Sequence, residues 1–88
     1  MCSLNLAYEI VFKAGSKKDL KQLNRADQSR ILLSIVDKLG THPEKEEMLS
    51  GRYKGLRRLR VGDYRIIYEV AGRSVFILRI AHRKDAYE

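Results

Sequence analysis

Arg58-Leu59-Arg60-Val61-Gly62-Asp63-Tyr64-Arg65-Ile66-Ile67-Tyr68-Glu69-Val70 is the stretch that decides the fold. Leu59 and Val61 alternate with Arg58 and Arg60. After Gly62-Asp63 the alternation resumes, with Tyr64, Ile66, Tyr68 and Val70 on one set of positions and Arg65, Ile67 and Glu69 on the other. A period of two on both sides of a Gly-Asp pair marks a β-hairpin with one buried face. Pairing then brings Arg58, Arg60 and Arg65 close together. Like charges so placed cost free energy unless an anion lies among them, and otherwise they are a solvated sheet face.

Working outward, Ala71-Gly72-Arg73 is a second turn, and Val75 to Ala81 is apolar at nearly every position. That pattern fits a central strand better than an edge. Towards the N-terminus, Leu4, Leu6, Tyr8, Ile10 and Phe12 alternate with polar residues, so a first strand is expected, ended by Gly15. Ser16 with Asp19 resembles a capping box opening a short helix, with Leu20 and Leu23 on one side. Asn24 is placed to cap a second helix that has Asp27 in its first turn and a stripe of Ile31, Leu32, Ile35, Val36 and Leu39. Gly40 and Pro43 close it. The expected order is β-α-α-β-β-β, an α+β domain with a helical pair on a four-stranded, mostly antiparallel sheet.

The chain has 88 residues, enough for one small domain, and its single cysteine, Cys2, cannot form an internal disulfide. No apolar run approaches the roughly 20 residues that span a bilayer. Met1 to Phe12 lacks a basic region followed by an apolar block, so no export signal is expected and the cytoplasm is the expected compartment. The net charge is +7, and it is uneven: residues 1–51 carry eight basic and seven acidic side chains, residues 52–88 ten and four. Such a field attracts polyanions, of which nucleic acid is the commonest in a cytoplasm.

Several chemistries are missing. His42, His82 and Cys2 have no zinc-type spacing, the glycines form no phosphate-cradling loop, and there is no nucleophile elbow. No metal or cofactor is expected. What remains is the basic hairpin and the polar ending His82-Arg83-Lys84-Asp85-Ala86-Tyr87-Glu88.

The run Leu56 to Val70, followed by Val75 to Tyr87, resembles the RelE/ParE superfamily of type II toxin–antitoxin toxins. Tyr8 to Lys13 and the two-helix insertion are similar too, so the likeness covers nearly the whole chain. The Gly-Asp-Tyr-Arg-Ile-Ile-Tyr hairpin serves both branches: endoribonucleases that cut mRNA on the ribosome, and inhibitors of DNA gyrase. The ending from His82 to Tyr87 resembles the nuclease branch. The resemblance implies that Arg65 contacts the scissile phosphate, with Arg83 and the terminal Tyr87 beside it. Of a lysine pair usual before the turn, one position is Leu56 and the other is Arg58, with Lys54 or Arg60 as substitutes. Lys54, Arg57, Arg60 and Lys84 are then expected to hold the RNA backbone. Proton transfer is assigned to His82 and Tyr87. His82 ranks first because a histidine titrates near 6.5 and a tyrosine near 10. The implied partners are the ribosome, mRNA and an antitoxin protein, whose acidic wrap would suit a +7 domain.

Overall fold

The computed structural model describes residues 7–49 and 55–82. Strand β1 is Glu9–Phe12, helix α1 Ala14–Lys21 and helix α2 Arg25–Ser34. A π-helical turn over Ile35–Leu39 prolongs α2, and a 3-10 turn, Pro43–Lys45, leads to a two-residue strand β2, Glu47–Met48. Strands β3 (Arg57–Val61), β4 (Tyr64–Ala71) and β5 (Ser74–His82) complete one sheet, ordered β1-β5-β4-β3-β2. All neighbours are antiparallel except β1 with β5. The expected α+β order is present, with β5 an interior strand between β1 and β4. The sheet gains a fifth strand at its edge, because β2 pairs with Arg57 and Arg58 over only two residues, too few to show a period.

Both hairpins turn on glycine. Gly62 and Gly72 each occupy the first central turn position with φ near +60°, and neither following residue has positive φ. That placement belongs to the tight turns whose twist matches paired strands.

Ile31, Ile35 and Leu39, spaced four apart on the second helix and its π turn, are fully buried against Leu59, Ile66, Tyr68, Val75 and Ile77. Leu32 and Leu33 face outward, so the buried stripe is narrower than the pattern suggested. Tyr68 is buried whole, and its hydroxyl donates to the Pro43 carbonyl. Asn24 caps α2 as expected, its Oδ1 accepting from the Asp27 N–H at 2.8 Å. The capping box of α1 is absent. The helix starts at Ala14, which places Ser16 inside its first turn, buried and donating to the Lys13 carbonyl. Gly40 ends the helical run without entering the left-handed region, and its carbonyl accepts from the Ala7 and Tyr8 N–H groups.

One irregularity positions everything that follows. In the β4–β5 ladder Ile67 pairs with Arg79 but Tyr68 pairs with Ile77, so Leu78 is an extra residue in β5. A one-residue bulge exchanges the faces of every residue beyond it. Val75 and Ile77 face the core before the bulge; after it, Ile80 does, not Arg79. Helix α1 locks this geometry. Asp19 Oδ2 accepts from the Ile80 N–H and from Arg79 Nε, both at 2.8 Å, past the point where β1 stops pairing. Burial disfavours the Asp19 carboxylate, but the Arg79 and Ile80 donors outweigh it and hold the carboxyl below its ordinary pKa.

Candidate phosphate-binding face and the end of the sheet

The β3–β4 register pairs Arg60 with Arg65 and Arg58 with Ile67, while Leu59 meets Ile66 and Val61 meets Tyr64. Since Leu59, Val61 and Ile66 are buried, alternation puts Arg58, Arg60 and Arg65 together on the face away from the helices. Arg60 is exposed; Arg58 and Arg65 are half-buried. At the turn, Arg60, Gly62, Asp63, Tyr64 and Arg65 line an open hollow of about 200 Å³. Three cationic forks on one face of a hairpin carry the donors that a phosphate-sized anion needs.

Arg57 is used differently from the expectation that it holds RNA. It pairs with Tyr68, on the helix side, and its Nη1 donates to the carbonyls of Glu44 and Glu46 at 3.0 and 2.8 Å. It ties the loop before β2 to the start of β3. The arginine run hid this, because a loop 11 residues upstream supplies the partners.

His82 is also separated from the arginines. It pairs with Tyr64 across the ladder, and their rings meet edge to face at 5.3 Å, 87° apart. Tyr64 is on the helix side: its hydroxyl donates to Asp27 Oδ2 of α2 at 3.2 Å. Arg65, the next residue, pairs with Ala81 on the opposite face. The Leu78 bulge therefore turns His82 toward the helices, where Asp19, Gln22, Leu23, Tyr64 and Arg79 join it around a second hollow of about 270 Å³. The expectation for His82 rests on its position at the end of the last strand and on the resemblance, neither of which fixes its face. Lys54, Arg83, Lys84 and Tyr87 lie outside the described residues.

Tyr64 and Asp27 were not singled out as site residues by sequence reasoning. A signal for Tyr64 existed: a tyrosine on the apolar face of a strand needs a partner for its hydroxyl. Burial first, then the charge of Asp27, raises the Tyr64 pKa above its ordinary value, so the phenol stays protonated and donating. Asp27 in turn accepts from Arg30 Nη2 at 2.8 Å.

With this geometry in hand, residues 10–87 match the family model for the ParE toxin of type II toxin–antitoxin systems, parDE. The chain belongs to the RelE/ParE superfamily of type II toxins. Within it the toxin is similar to Toxin RelE3 of Methanocaldococcus jannaschii, 31% identical over 91% of this chain and 96% of that one. It superposes on a chain of the RelBE2 toxin–antitoxin complex of Mycobacterium tuberculosis with a TM-score of 0.82, at 25% identity, covering 92% of this toxin and 97% of that chain. A chain of the archaeal RelE–RelB complex of Pyrococcus horikoshii gives 0.67 at 30% identity, covering 92% and 100%. The toxin is therefore RelE-like in sequence and in fold.

Proposed function

We propose that this toxin is a ribosome-dependent endoribonuclease that cuts mRNA without a metal ion. The observation that carries the reading is the shared outer face of Arg58, Arg60 and Arg65, with Arg60 and Arg65 directly opposed. Its similarity to RelE3 supports the same branch.

The chemistry asks for little else. The 2′-oxygen attacks the adjacent phosphorus, the P–O5′ bond breaks, and the products are a 2′,3′-cyclic phosphate and a free 5′-hydroxyl. Charge gathers on the non-bridging oxygens as this proceeds. Fixed guanidiniums aimed at that charge lower the barrier, and Arg65 with Arg58 or Arg60 supplies them. A base must take the 2′-proton and an acid must give one to O5′. With His82 turned to the helix side, these transfers fall to Tyr87 and Arg83. A tyrosine serves as base at pH 7 only with its phenol brought down from about 10, and nearby arginines would do so by stabilising the phenolate. Lys54, Arg60 and Lys84 are the proposed contacts to the RNA backbone.

An antitoxin is the proposed protein partner, as in the RelBE2 and RelE–RelB complexes. Leu33 is 70% exposed on α2, and Met48 is 51% exposed on the edge strand β2, leaving apolar surface for an antitoxin to cover. A pull-down with the product of the adjacent gene tests this; absence of binding at micromolar concentration would refute it.

The match to a ParE family model supports a second reading, inhibition of DNA gyrase without nuclease activity. The two part in a reconstituted translation reaction and a supercoiling assay. The nuclease reading requires cut message and unaffected supercoiling, and the gyrase reading requires the reverse.

A further inference from the structure

Two carboxylates, one from each helix, hold the end of β5, Asp19 directly and Asp27 through Tyr64 of β4. Asp19 of α1 takes the Ile80 N–H at 2.8 Å. Asp27 of α2 takes the Tyr64 hydroxyl at 3.2 Å, and the Tyr64 ring stands edge-on to His82 at 5.3 Å. Asp27 is itself fixed, by Arg30 at 2.8 Å and by its own N–H on Asn24 Oδ1. The chain runs from His82 straight into Arg83, Lys84 and Tyr87.

We infer that Tyr64, held by Asp27, is a positioning residue that fixes His82 and through it the point from which the catalytic C-terminal residues start. A bulged strand end needs such a hold. Leu78 shifts the β4–β5 register four residues before His82, and β1 stops pairing at Ile77, so among the described residues β4 is the one strand bordering the end of β5. Strand ends paired on one side open more readily than interior residues, and the carboxylates of α1 and α2 supply restraint on the other side. The hydroxyl of Tyr64 is the tether and its ring is the contact, so the two can be removed separately. The catalytic consequence rests on the nuclease reading; the restraint itself does not.

Amide hydrogen exchange and single-turnover cleavage on programmed ribosomes test this with Tyr64→Phe, Tyr64→Ala and Asp27→Asn. Protection of the Ile80, Ala81 and His82 amides is expected to fall about tenfold in Tyr64→Ala, less in Tyr64→Phe and Asp27→Asn, with Ile66 and Tyr68 unchanged. Displacing catalytic groups by an ångström costs on the order of 100-fold, so the cleavage rate of Tyr64→Ala should fall about 10- to 100-fold while half-saturation by ribosomes stays within about twofold. Tyr64→Phe should restore most of the rate, and Tyr64→Ala should add nothing in a Tyr87→Phe background, because one acts through the other. Tyr64→Phe and Asp27→Asn keep the core intact and decide the matter if Tyr64→Ala does not fold. Unchanged protection at residues 80–82 in all three would overturn the inference. If the unsubstituted toxin cuts no message, the nuclease reading falls, and the exchange measurement still decides the restraint.

Discussion

Arg60 and Arg65 are direct partners across the β3–β4 ladder, two cations facing each other on the sheet surface away from the helices. Like charges set directly opposite each other oppose folding unless neighbouring groups compensate them. Arg60→Gln is expected to change stability by no more than about 0.5 kcal/mol in urea unfolding and to weaken RNA cleavage about tenfold. Loss of both stability and activity would show that Arg60 is a structural residue.

Asp19 should carry a measurable share of stability and of its pH dependence. Its folded pKa is depressed below the ordinary carboxylate value by Arg79 and the Ile80 N–H, which overcome its burial. A depressed carboxyl stabilises the fold fully above its unfolded pKa, and that contribution is lost as pH falls through the folded value. The window is thus below about pH 4. Asp19→Asn is expected to lower stability at pH 7 by about 1–2 kcal/mol and to flatten the acid limb of the stability curve. An acid limb identical to that of the unsubstituted toxin would contradict the assignment.

Tyr68 joins the core to the loop before β2. Burial pushes its phenol far above the ordinary tyrosine range, and Glu46 adds to this while Arg57 opposes it. A raised phenol stabilises the fold fully below about pH 10 and loses that contribution as pH rises further. In an ultraviolet titration one of the five tyrosines should ionise only as the toxin unfolds in alkali. Tyr68→Phe removes the bond to the Pro43 carbonyl, and about 1 kcal/mol of stability should go with it. A stability unchanged within error would mean that water replaces the hydroxyl at the Pro43 carbonyl.

Gly15 tests the contact that locks the bulge. A Cβ there would stand 3.1 Å from the Leu78 carbonyl oxygen and 3.1 Å from Arg79 Cδ. Alanine gains about 1 kcal/mol of helix propensity over glycine, yet the bulge carbonyl has to move to admit it. Gly15→Ala is expected to be neutral or destabilising by about 1 kcal/mol in thermal unfolding. A gain in stability would show that α1 shifts freely on β5.

Local patterns carried most of the fold. Period two in β3 and β4, the Gly-Asp turn and the Asn24 cap are consequences of neighbouring residues alone, and the structure has them as read. What escaped depends on partners distant in sequence. The apolar run of β5 conceals the bulge, since Leu78 is as apolar as its neighbours and no turn residue marks the phase change. For the same reason the face of His82 was illegible, and Asp19, read as part of a cap, instead grips Arg79 and Ile80 some 60 residues on. The arginine face was legible because it lies within one hairpin. Arg57 was not, because its partners are carbonyls of another loop.

The most direct test of the nuclease reading is 5′-end mapping of a defined mRNA in a reconstituted translation reaction, with the toxin, with Arg65→Ala and with His82→Ala. Cuts inside ribosome-occupied codons are expected, absent without ribosomes, reduced about 100-fold or more by Arg65→Ala and about 10- to 100-fold, as for Tyr64→Ala, by His82→Ala. A message left intact by the unsubstituted toxin, or cut equally well by Arg65→Ala, would contradict it.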